Sequence, residues 1–102
     1  MKLKFNLSGG LAGLTKATEI DDCRLSKQES EMLHSLVEKS AFFDMPEPTF
    51  KPLLDVEICN LTIETKGKAR TVRIALTMVS ERLKPLIKYL ARRSKYVNLK
   101  NL

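Results

Sequence analysis

Apolar and polar residues alternate strictly over residues 2–8. Leu3, Phe5 and Leu7 fall on one side, and Lys2, Lys4, Asn6 and Ser8 on the other. A period of two is that of a strand with one buried face. The string Ser8-Gly9-Gly10-Leu11-Ala12-Gly13 follows. Its glycines allow positive φ at low steric cost, so the chain turns here. The connection is longer than a tight hairpin needs, which predicts a projecting loop. Residues 14–20 return as a second, less cleanly patterned strand.

The period then changes. Asp21, Asp22 and Cys23 lead into a helix, with Ser26 and Glu29 at the spacing of a capping box. Met32, Leu33, Leu36 and Val37 form one apolar stripe at 3.6-residue spacing. Lys27, Glu31, His34 and Glu38 fall opposite, so His34 is expected in solvent. Ala41, Phe42 and Phe43 continue as a core plug, and Pro46, Pro48 and Pro52 mark an irregular connection.

Residues 55–65 read as a third strand whose parity slips. Val56 and Ile58 share one side, whereas Cys59, Leu61 and Ile63 share the other, which suggests a bulge near Ile58 and Cys59. Lys66, Gly67 and Lys68 form a turn, and Val72, Ile74 and Leu76 alternate through a fourth strand. Ser80 is expected to cap the last helix. Leu83, Leu86, Ile87, Leu90 and Ala91 form its apolar stripe. Pro85 belongs in the first turn of the main helix, because an interior proline costs about 3 kcal/mol. Arg92, Arg93 and Lys95 suit the helix C-terminus, where the backbone dipole favours cations.

The order is strand, strand, helix, twice over (ββαββα). Two hairpins and two one-sided helices predict a two-layer α+β domain: a four-stranded antiparallel sheet with both helices on one face. At 102 residues the chain is one domain. We place that domain at 1–95 and treat 96–102 as a C-terminal tail. No apolar run approaches the ~20 residues of a membrane span, and the alternating N-terminus lacks the apolar core of a secretory signal. A cytoplasmic location is therefore expected.

The net charge of +6 is unevenly distributed. From Arg82 to the end there are 7 basic residues and no acidic one (Arg82, Lys84, Lys88, Arg92, Arg93, Lys95 and Lys100). Such a segment is either a solvated positive helix face or a module for nucleic acid or an anionic surface. With no Trp, and only Tyr89 and Tyr96 in this stretch, base stacking has little support. Cys23 and Cys59 are too few and too far apart for a zinc motif or a disulfide framework. Reduced thiols in the cytosol are expected. One histidine excludes any two-histidine site, and no carboxylate stands in a recognisable acid–base pair with a nucleophile. Catalysis through Cys23, beside Arg24, is the remaining enzymatic reading. No enzyme, metal or cofactor is expected.

Residues 8–13 carry a composition that packing alone does not demand. They are either an ordinary glycine-rich connection with Leu11 folded back on the core, or a nearly bare backbone displaying one apolar anchor to a partner's cleft.

Several strings taken together resemble the emfourin family. These are Lys2-Leu3-Lys4-Phe5 running into Ser8-Gly9-Gly10-Leu11-Ala12-Gly13, then Phe42-Phe43 and Pro46, a hairpin, Leu83-Lys84-Pro85-Leu86-Ile87, and Arg92-Arg93. The resemblance extends to about Lys95. It implies a small bacterial cytoplasmic inhibitor of thermolysin-like zinc metalloproteases. The expected partner is such a protease, with no small-molecule substrate, no membrane and no nucleic acid, and the expected acting species is a monomer. The implied protease-binding residues are Ser8, Gly9, Gly10, Leu11, Ala12 and Gly13. Thermolysin-like enzymes favour a bulky apolar residue just after the scissile bond, and Gly10-Leu11-Ala12 offers small-large-small.

Overall fold

The computed structural model describes residues 1–9, 14–48 and 56–96. Strand β1 (Lys2–Gly9) pairs antiparallel with β2 (Leu14–Asp21) on one side and β3 (Glu57–Thr65) on the other. β3 in turn pairs antiparallel with β4 (Lys68–Ala75) through a turn in which Gly67 takes a φ of +73°. Helix α1 (Lys27–Ser40) separates the hairpins, and α2 (Lys84–Arg93) follows the second. This is the expected four-stranded antiparallel sheet in ββαββα order. A two-residue strand, β5 (Lys95–Tyr96), adds to the far edge of β2, so the full order is β4-β3-β1-β2-β5.

The alternation in β1 has the predicted consequence. Leu3, Phe5 and Leu7 are buried, and through register they stand beside Ile63, Leu61 and Cys59 of β3. Val72 and Ile74 of β4 extend this face. Leu33 and Val37 of α1 and Leu86, Ile87 and Leu90 of α2 join the same cluster, which puts both helices on one side of the sheet. Each buried Leu, Ile or Phe there stabilises the fold by about 1.5–3 kcal/mol relative to exposure. β2 patterns faintly because, among its described side chains, only Ile20 is buried.

Local chemistry sets the helix ends. Ser26 accepts a hydrogen bond from the Glu29 amide at 3.2 Å, half of the expected box. The Glu29 carboxylate reaches instead to Arg93 on α2, at 3.4 Å. Ala41 closes α1 in the left-handed region, at φ +54°. Phe42 then enters the core. Ser40, buried at this corner, donates to the Val37 carbonyl and accepts from the Phe42 amide.

Three local expectations need correction. The bulge at Ile58 is absent, because the register runs unbroken from Gly9↔Glu57 to Lys2↔Glu64. Ile58 simply faces the side away from the helices, where it pairs with Ala75. Leu76 is not a core residue of the fourth strand. The chain leaves the sheet at Ala75 and enters a 3-10 turn, Leu76–Met78, with Leu76 exposed. Ser80 does not cap α2, whose N-cap is Leu83 with Pro85 in the first turn. Ser80 contributes its carbonyl, which accepts from the Leu83 and Lys84 amides. His34 is exposed as expected, at 53%, and its Nε2 lies 2.6 Å from Asp22 Oδ2.

Candidate functional site

The connection between β1 and β2 springs from the middle of the sheet rather than from an edge, because β1 is flanked on both sides. Its stem is defined by three paired positions: Gly9 stands opposite Leu14 on β2 and Glu57 on β3. Gly9 has a φ of +96°, a region that side chains rarely adopt. A Cβ there would also sit 3.2 Å from the Val56 carbonyl oxygen. Ser8, one residue earlier, is partly buried and pairs with Thr15 and Ile58. Of the expected binding residues, Ser8 and Gly9 therefore form the stem. Gly10, Leu11, Ala12 and Gly13 lie outside the described residues.

A second feature sits at the same end of the sheet. β1 and β4 run in the same direction, and the row Ser8↔Ile58↔Ala75 links the next-to-last residue of β1 with the last residue of β4 across β3. Two strand spacings separate them, roughly 10 Å. Immediately beyond Ala75, Met78 is 67% exposed. Met78, Ile74, Ala41, Met45, Pro46 and Pro48 line most of a groove of about 430 Å³, with Asp44, Glu47, Ser80 and Arg82 also on its wall. Arg70 holds one side of this groove in place. Its guanidinium donates to the Phe42 carbonyl at 2.9 Å and the Met45 carbonyl at 2.7 Å, and lies 3.4 Å from Glu47. Sequence reasoning missed both Arg70 and the groove. The one available signal was an arginine inside an otherwise ordinary strand, opposite Ile63.

The other candidate chemistries lose ground. Cys23 is exposed, but Asp21 and Asp22 beside it push its thiol up, against formation of a nucleophilic thiolate. Cys59 is buried, and desolvation pushes it to about 12. The ligand atoms of Asp21, Asp22 and Cys23 lie within 4.8 Å of one another. The two carboxylates already have partners, however. Asp21 accepts from the Cys23 amide, and Asp22 accepts from the Met1 amine at 2.9 Å as well as meeting His34. These hydrogen bonds, from the amine first and then the imidazole, hold the Asp22 carboxyl below its ordinary value. The basic last helix is partly neutralised: Lys84 pairs with Glu81 at 2.6 Å, and Arg93 pairs with Glu29 while lying over the Tyr89 ring.

No curated protein and no solved structure matches the chain. A family model described as Emfourin matches residues 5–91, which takes in most of β1, the glycine-rich connection, both hairpins and nearly all of α2. With the ββαββα fold in place over those residues, the chain belongs to the emfourin family, inhibitors of thermolysin-like metalloproteases and not enzymes.

Proposed function

We propose that this protein blocks the active-site cleft of a thermolysin-like metalloprotease with residues 8–13, using Leu11 as the apolar anchor. The observation that carries the reading is the stem. Gly9 is fixed by ladder pairing on both sides, at a central strand, in a conformation that favours glycine. Gly9 and Leu14, which bound residues 10–13, are both held in the sheet ladder, and fixed ends of this kind lower the ordering cost of association. The same restraint hinders cleavage, because hydrolysis needs the scissile carbonyl in attack geometry. Leu11 would fill the pocket that otherwise takes the bulky residue after the scissile bond, with the small neighbours Gly10 and Ala12 letting the backbone approach the zinc cleft.

The plug is carried by a single chain, so the acting unit is a monomer. Two unpaired thiols suit a reducing compartment such as the cytoplasm.

The experiment is steady-state inhibition of a panel of thermolysin-like metalloproteases, thermolysin included, at several concentrations of a peptide substrate. A cleft plug raises apparent KM and leaves kcat unchanged. Inhibition that lowers kcat at unchanged KM, or no inhibition of any member, contradicts the proposal.

A further inference from the structure

We propose that the groove bordered by Met45, Pro46 and Met78 is a second contact of this inhibitor with its protease, receiving an apolar side chain from the enzyme surface beside the cleft. This rests on the cleft-plug reading above and adds a separate surface to it. Three observations converge. The first is area. A stable protein–protein interface covers ~800 Å² on each partner, more than residues 8–13 can offer, so an inhibitor built on that loop needs further surface nearby.

The second observation is position. The Ser8↔Ile58↔Ala75 row puts the base of the loop and the start of the Leu76–Met78 turn at the same end of the sheet. A protease seated on the loop meets this turn next. The third is anatomy. The most exposed large apolar side chain among the described residues is Met78, at 67%, and Leu76 of the same turn is also exposed. Ile74 and Pro46 add apolar surface inside the groove, while Asp44, Glu47 and Arg82 supply charged and polar lining. Apolar surface with a polar rim is the usual composition of an interface core, where methionine is enriched. Methionine also adapts its shape to the side chain it meets. Arg70 fixes the Met45 and Phe42 carbonyls, so this wall is formed before any partner arrives.

The test uses whichever protease of the panel the unaltered protein inhibits most strongly. Met78→Asp places a charge on an exposed turn, and its melting temperature should match that of the parent. Its inhibition constant should rise about tenfold or more, the loss typical of a well-placed interface residue. Met78→Leu should restore most of the affinity. Leu11→Asp serves as the control for the plug itself. If Leu11→Asp abolishes inhibition while Met78→Asp inhibits like the parent, the groove contact is wrong and the plug stands. If neither substitution weakens inhibition, both readings fall. Sedimentation velocity covers the other occupant, a second copy of the chain. A parent dimer that Met78→Asp converts to monomer would overturn the protease contact, whereas monomers throughout, together with the weakened inhibition, support it.

Discussion

The two ends of the sheet are built to opposite plans. At the end where β1 starts and β2 finishes, polar groups satisfy one another. The Met1 amine and His34 share the Asp22 carboxylate, and the Asp22 amide returns a hydrogen bond to the Met1 carbonyl. At the opposite end, where β1 and β4 run out, apolar surface is left open and backbone conformation is specialised. Gly9 sits at φ +96°, and Met78 stands in solvent over a preformed groove. The first arrangement closes the fold locally, so changes there should register as stability. The second presents surface, so changes there should register as binding. An exposed apolar cluster gives a folded monomer no stability and invites association, so its presence beside the loop is better explained by a partner than by packing.

Two substitutions separate these roles, and the larger effect comes first. Gly9→Ala forces a side chain into the left-handed region and against the Val56 carbonyl. Strain of this kind costs about 2 kcal/mol, which should lower the melting temperature by roughly 10 °C. Because Gly9 is also the stem of the loop, inhibition should weaken beyond what the fraction folded explains. Differential scanning calorimetry and inhibition kinetics on one sample measure both effects.

Asp22→Asn belongs to the closed end. It should cost about 1 kcal/mol at neutral pH, the scale of a charge-assisted hydrogen bond partly open to solvent, and leave inhibition unchanged. Its pH signature has a definite sign. The folded carboxyl lies below its ordinary value of 3.8. The stability it supplies is therefore fully present above about pH 4 and is lost as pH falls through the lowered folded value. Urea unfolding between about pH 2 and 5, roughly three units spanning the ordinary carboxylate range, should show a shallower acid limb in the variant. An identical limb, or a loss of inhibition, would break the division between the two ends.

The fold was legible because its signals are local. Strict alternation at Leu3, Phe5 and Leu7 and the 3.6-residue stripes at Leu33 and Val37 and at Leu83, Leu86, Ile87 and Leu90 each face one core. The parity slip at Ile58 misled for a physical reason. A bulge and a residue buried on the far face produce the same sequence pattern, and only register distinguishes them. Leu76 continued the alternation by parity alone, although the strand had already ended at Ala75. The loop was visible as composition, since few sequences place Gly9, Gly10 and Gly13 around one leucine. The groove was not visible, because Ala41 and Met45 are distant in sequence from Ile74 and Met78 and meet them only in the folded chain, where Arg70 of β4 holds the segment that follows α1. The Asp22 network was hidden in the same way, its members being Met1, Asp22 and His34.

Leu11 decides the matter. In a titration against the most strongly inhibited thermolysin-like protease, Leu11→Asp should raise the inhibition constant about 100-fold or more, because a carboxylate must be desolvated in an apolar pocket. Its thermal unfolding should be superimposable on the parent's. An unchanged inhibition constant in that folded variant would show that the enzyme is stopped by some other part of the molecule.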